Sequence, residues 1–253
     1  RRTGAGAAED RQPARSGAYR LHGADPPGRL GRRHDRRGAA GLGTLVVAPH
    51  AWPLVVAALV ANHATVVAAG LMPRSRLYGP NIDRLPAAAE ARGHVALTFD
   101  DGPDPEVTPR VLDLLDAAGA RASFFCVGAR AAAHPGLIRD IAARGHEVEN
   151  HTYSHHNGFF FFRTKRLRRE IRATQDLVSS LTQRAPRFFR PPAGIRGPLL
   201  DPVLREGGLR LVSWTRRGFD TVCRDPQVLL ARMTRGLAAR DILLLHDGHA
   251  ARG

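Results

Sequence analysis

From residue 93 onward the chain alternates short apolar runs with longer amphipathic stretches. Residues 95–99, 122–127, 147–150, 187–189, 209–214 and 242–245 read as strands. The intervening stretches 109–118, 129–144, 164–181, 199–206 and 226–239 carry apolar residues at helical spacing. Gly119, Gly145 and Gly207-Gly208 follow three of these stretches, where a glycine suits the end of a helix. The βα order predicts an α/β fold with a mainly parallel sheet, either a barrel or an open doubly wound sheet.

The N-terminal part has a different pattern. Residues 1–40 are rich in Arg, Gly, Ala and Pro, lack apolar periodicity and are predicted to be disordered. No Asp, Glu, Lys or Arg occurs from Gly38 through Pro73. About 20 apolar residues suffice to cross a bilayer, so residues 41–73 are read first as a transmembrane or signal-anchor segment. Ten arginines precede this segment and only Arg74 and Arg76 follow closely. That asymmetry places the N-terminus in the cytoplasm and the following domain on the periplasmic or extracellular face of the cell membrane. Pro53, Asn62 and His63 interrupt the apolar run. A cleaved signal, a soluble apolar segment, or a hairpin of two short helices that leaves the domain inside are the alternatives. Residues 74–92, with Gly79-Pro80-Asn81, read as a linker.

The 253 residues carry a net charge of +15. Arginine is spread through the chain alongside abundant Ala and Gly, and no RNP-like, helix-turn-helix or zinc-finger pattern accompanies it, so nucleic acid is not expected as a partner. No obligate protein partner is evident either. Cys126 and Cys223 are far apart and lack metal-ligand spacing; Cys126, inside an apolar run, is expected in the core.

Chemically useful residues fall just after the strand runs. Asp100-Asp101 follow the first, His151 the third, Arg190 the fourth and His246 the sixth, while Asp220 lies just past the fifth. In a parallel barrel these ends share one face, where barrel active sites sit. Asp101, His151 and His155 form one carboxylate and two imidazoles, a set that suits a divalent metal, first of all zinc, with a position left for water and substrate. Asp100 is then free to act as a base on water, and Arg190 is expected to hold it ionised and oriented. His246, at the end of a very apolar run, suits a general acid for an amine leaving group, with Asp220 bonded to its ring.

Four segments carry a resemblance. Thr98-Phe99-Asp100-Asp101-Gly102-Pro103, His151-Thr152-Tyr153-Ser154-His155, Arg190-Pro191-Pro192-Ala193-Gly194 and Leu244-Leu245-His246-Asp247 resemble, in order, motifs of the polysaccharide deacetylases with a NodB homology domain, carbohydrate esterase family 4. The resemblance covers residues 93–253. It implies a distorted (β/α) barrel that removes N- or O-acetyl groups from sugar polymers, here an acetylated glycan such as chitooligosaccharide, peptidoglycan or exopolysaccharide. It implies Asp100 as base, Asp101, His151 and His155 as metal ligands, Arg190 as the residue orienting the base, and His246 as acid. It also places Ala193 where the family uses a main-chain N–H as an oxyanion donor, a function that survives the change from the usual Tyr.

Two departures from the family pattern stand out. In Trp214-Thr215-Arg216-Arg217-Gly218-Phe219-Asp220-Thr221 only the second Asp of the family's fourth motif remains, as Asp220; Arg217 occupies the first Asp position and Thr221 replaces a Trp. The family domain also usually continues with another helix and strand past the Leu-His-Asp motif. A chain lacking them is expected to have an open seam, exposed apolar edges and lowered stability. Residues 159–162, four consecutive phenylalanines, would either stack on sugar rings or pack under the next helix. An O-acetyl esterase, another amide hydrolase and a non-catalytic sugar-binding module are the competing readings.

Overall fold

The computed structural model describes residues 49–248. The expected disordered segment 1–40 and the first part of the apolar segment lie outside these residues.

Seven parallel strands form one curled sheet in the order β5-β4-β3-β2-β1-β7-β6. They are β1 Ala96–Asp100, β2 Ala122–Cys126, β3 Glu147–Asn150, β4 Phe188–Phe189, β5 Arg210–Leu211, β6 Arg216–Arg217 and β7 Ile242–His246. The helices are α1 Trp52–Leu71, α2 Val107–Ala117, α3 Gly128–Ala133, α4 Pro135–Ala143, α5 Thr164–Thr182, α6 Leu200–Glu206 and α7 Pro226–Thr234.

The strand period of two sorts side chains into two cores. Phe99, Phe124 and Val148 face outward and pack with Leu112, Leu115, Ile138, Ile141 and Val178 of the covering helices. Their neighbours Ala96, Phe125, Ile242 and Leu244 face inward and pack with Phe188, Val212 and Trp214. On β1 the inward set is Ala96, Thr98 and Asp100, so the alternation that builds the interior also delivers a carboxylate to the strand's C-terminal end. Glu149, inward on β3, accepts hydrogen bonds from the main-chain N–H groups of Arg187 and Phe188 at 2.8 Å each, which seats β4 against β3. Burial pushes its carboxyl up to about 8 despite those two bonds.

Several boundaries differ from the sequence-based expectation. The single helix expected over 129–144 is two, α3 and α4, because Pro135 supplies no N–H to a continuing helix and His134 leaves helical geometry at φ −129°, ψ 58°. The strand expected over 209–214 pairs with β4 only through Arg210 and Leu211. Beyond them the carbonyls of Val212 and Ser213 are taken by the Arg190 guanidinium, and the chain crosses over to pair with β7 as β6. The segment read as a linker packs into the domain. Leu85 and Ala89 are fully buried, Ile82 pairs with Val212 beyond the β5 edge, and Leu85 exchanges hydrogen bonds with Arg240. At the opposite edge, β6 presents two arginines.

Phe159 and Phe162 are buried with Leu167, Ile171 and Phe189, so the aromatic run is chiefly a seat for α5, with Phe161 left exposed. Cys126 is buried and both cysteines are free. Along α1 the side chains of Trp52, Leu54, Leu59, Val60 and Val67 are exposed, whereas Ala69 and Gly70 are buried. Gly70 approaches the chain just after Gly194 closely: its carbonyl accepts from Arg196 N–H at 3.2 Å, and a Cβ at Gly70 would stand 2.7 Å from the Arg196 carbonyl. The Tyr78 hydroxyl donates to the Val66 carbonyl nearby.

Candidate active site

All eight residues singled out from the sequence lie at the C-terminal ends of the strands or in the loops that leave them. Asp100 ends β1 and pairs in register with His246 at the end of β7. Asp101 follows with φ 73°, a left-handed turn that swings its carboxylate toward the same site as its neighbour instead of to the opposite face. Thr152, His155, Ala193 and Phe219 also have positive φ. Non-glycine residues in this region are uncommon and concentrate where a site requires them.

The ligand atoms of Asp101, His151 and His155 all lie within 4.8 Å of one another. Asp101 Oδ1 is 3.2 Å from His151 Nε2 and 3.0 Å from His155 Nε2. The Nδ1–H of His151 donates to the Arg190 carbonyl at 2.7 Å, so Nε2 is the ring nitrogen turned toward Asp101. The loop between the two histidines is not helical. It is held by Asn150, whose Oδ1 accepts from Thr152 N–H, and by Glu170, whose carboxylate accepts from both the N–H and hydroxyl of Ser154. Burial alone would raise the Asp101 carboxyl; hydrogen bonds and charge from the two histidines outweigh it and hold the group far below the usual carboxylate range. One carboxylate and two imidazoles with converging ligand atoms and a carbonyl-anchored ring fit a divalent metal.

Asp100 stands on one side of this cluster. Its Oδ1 accepts from Arg190 Nη1 at 2.5 Å, and its Oδ2 lies 3.9 Å from His151 Nε2. Arg190 is wholly buried and bonded through all three guanidinium nitrogens, donating also to the Thr98 hydroxyl and to the carbonyls of Val212 and Ser213, with its guanidinium 4.1 Å from the centre of the Phe125 ring. On the other side, the Asp220 carboxylate grips His246 twice, accepting from its main-chain N–H at 2.6 Å and bonding ring Nδ1 at 2.8 Å. This leaves Nε2 for a substrate. Burial works to lower the His246 pKa, but the Asp220 hydrogen bond and the charges of Asp100, Asp220 and Asp101 raise it above 6.5.

Asp100, Asp101, His151, His155 and His246 line a cleft of about 190 Å³ together with Ala193, Gly194, Trp214, Arg217, Thr221 and Leu244. A larger surface groove of about 710 Å³ runs along the basic residues of α5 beside Phe161, but it contains no carboxylate and no histidine. Arg217 and Thr221, the two altered positions of the fourth motif, line the cleft, and Trp214, which the sequence did not single out, lines it with them. The Trp214 ring lies directly against Gly194 and would collide with a side chain there. Gly194 also has φ 73°, so an alanine at this position meets both strain and the indole. Arg130 ties the site's rim together by donating to the carbonyls of Asp101 and Gly248. Its only sequence signal was an arginine in an otherwise small-residue helix.

Comparison with known proteins agrees with this geometry. The polysaccharide deacetylase family matches residues 87–212. A peptidoglycan-N-acetylglucosamine deacetylase from Bacillus cereus is 39% identical over 127 residues, which is 49% of this chain and 45% of that protein. A chitooligosaccharide deacetylase from Sinorhizobium fredii is 34% identical over 171 residues, covering 65% of this chain and 76% of that protein. Among solved structures, a family 4 carbohydrate esterase pseudoenzyme from Bacillus anthracis superposes with a TM-score of 0.62 at 25% identity, over 66% of this chain and 58% of that one. The chain thus spans under half of the Bacillus cereus relative and about three quarters of the rhizobial one. With the family's motifs gathered in one cleft and its parallel curled sheet in place, the chain belongs to the polysaccharide deacetylase family.

Proposed function

We propose that this chain is a metal-dependent hydrolase that removes the acetyl group from N-acetylated sugars of a glycan, giving acetate and a free amine. One observation supports this above the others. A base held by an arginine and an acid held by a carboxylate stand on either side of a three-residue metal-binding set, in a single cleft. Fold alone does not carry activity, since a pseudoenzyme shares it; the complete set of groups does, and a sugar-binding module has no need for Asp100 or His246.

Asp101, His151 and His155 hold the metal, which we take to be zinc from the mix of oxygen and nitrogen donors. When bound, the metal polarises the acetamide carbonyl and lowers the pKa of water. Asp100, kept in place by Arg190, takes a proton from the water that adds to the carbonyl carbon. The main-chain N–H of Ala193 donates to the carbonyl oxygen as charge develops there. His246 gives its proton from Nε2 to the departing nitrogen as the C–N bond breaks, and Asp220 holds the imidazolium through Nδ1. Trp214 and Leu244 wall the site where the acetyl methyl group would lie.

The acid role has a pH signature. His246 must be protonated to act, so activity falls as pH rises through its pKa. Because that pKa is raised, the falling limb of kcat/KM lies above 6.5. Asp220→Asn removes the leading raising influence and leaves burial opposed only by the charges of Asp100 and Asp101, so the limb is expected to move to lower pH. An unmoved limb in that variant would separate His246 from the acid step.

The substrate class is tested by acetate release from chitin oligomers, peptidoglycan and acetylated xylan. Release from the amide substrates is expected; release from xylan alone would identify an O-acetyl esterase. We further propose that α1, with 20 residues and no charge, anchors the chain in the cell membrane with the catalytic domain outside the cytoplasm. Its exposed apolar flank supports this reading.

A further inference from the structure

We propose that Arg217 is a specificity-determining residue that binds an acidic group on the glycan, close to the acetamido nitrogen; the inference rests on the deacetylase reading of the cleft. Register decides which way Arg217 faces. It pairs with Leu244, which belongs to the inward core, whereas its neighbour Arg216 pairs with the outward Leu243. The two arginines are therefore spent differently. Arg216 bonds the Asp241 carboxylate at 2.7 Å and donates to the Arg235 and Gly236 carbonyls. Arg217 lines the cleft, forms no ion pair among the described residues, and has a buried Nε with no hydrogen-bond partner. Its guanidinium lies 4.9 Å from the centre of the Phe219 ring and 5.6 Å from that of Trp214, two faces that position the cation without neutralising it.

A half-buried guanidinium with an unsatisfied donor is unfavourable unless a ligand completes it. The planar donor fork matches a carboxylate or another oxyacid anion. Arg217 lines the same small cleft, of about 190 Å³, as Thr221 and His246, the group assigned to protonate the leaving nitrogen. The anion it meets therefore belongs near that nitrogen. Two sources share this chemistry: a carboxylate in ether linkage on the acetamido sugar itself, or a uronate on the adjoining sugar. A neutral homopolymer of acetamido sugars offers neither.

Binding is measured by calorimetry in the Asp100→Asn background, so that ligand is not consumed. The probes are N-acetylchitotetraose, an acetamido saccharide bearing a free lactyl-ether carboxylate, and an oligosaccharide alternating acetamido sugar with uronate. At least one acidic probe is expected to bind about tenfold or more tightly than the neutral one at low salt, with the gap narrowing as salt rises. Which acidic probe shows the gap identifies the source. Adding Arg217→Gln is expected to shrink the gap to within about twofold, and Arg217→Lys to retain part of it. Equal binding of acidic and neutral probes, or a preference that survives Arg217→Gln in a variant that melts like the parent, overturns the proposal. Acetate release by the wild-type chain is followed in parallel. Release without acidic preference removes the Arg217 inference and leaves the deacetylase reading intact. An Arg217-dependent preference without any release does the reverse.

Discussion

Asp100→Asn is expected to lower the rate of acetate release by about 10²–10⁴-fold, the range over which a positioned general base contributes. Asparagine keeps the size of aspartate and can still accept from Arg190 Nη1 through its amide oxygen, so the buried contact survives. What it loses is a second oxygen able to take a proton at the position 3.9 Å from His151 Nε2. The metal-binding set Asp101, His151 and His155 is untouched, so metal content per chain is expected to stay at the wild-type value. Rate and metal content measured on the same preparation separate the two roles of the adjacent carboxylates. Undiminished turnover in this variant would remove Asp100 from the chemistry, and loss of metal would assign it to the ligand set.

The second large effect is structural. Arg190→Met is expected to destabilise the domain by about 3–5 kcal/mol, the usual consequence of breaking a buried ion pair by removing one partner. The Asp100 carboxylate would remain buried, and the carbonyls of Val212 and Ser213 would lose their donors at the point where the chain crosses from β5 to β6. Denaturant unfolding reads this directly. The double variant Asp100→Asn with Arg190→Met is expected to cost less than the sum of the single changes, because the charge left unpaired by the second change has been removed by the first. Additivity, or a loss below about 1 kcal/mol for Arg190→Met, would show that the pair does not organise the site.

Much of this site was legible before the fold because its residues announce themselves as polar groups directly after apolar runs. Asp100, His151, Arg190 and His246 each sit where a strand stops, and a parallel sheet brings all such ends to one side. The resemblance to a known family joined them into one mechanism. Features that depend on long-range partners were not legible. The left-handed turns at Asp101 and His155, which aim two ligands at one point, fall on residue types that tolerate such turns but adopt other conformations far more often. The early end of β5 goes with an arginine 22 residues before Val212 and 23 before Ser213 that takes the carbonyls of both. The packing of residues 74–92 rests on a few apolar positions, Ile82, Leu85 and Ala89, between turn signals that read as a linker. Arg217 could be placed in the cleft only once the pairing of β6 with β7 settled which face it occupies.

The most direct test of the account is acetate release from an N-acetylated glycan by the purified chain before chelation, after chelation, and after return of a divalent cation. The account predicts equal amounts of acetate and new free amine from the untreated protein, loss of both on chelation, and recovery on adding back the metal. Acetate release that persists unchanged in protein shown to be metal-free would contradict it, as would a fully metal-loaded chain that releases none from any amide substrate.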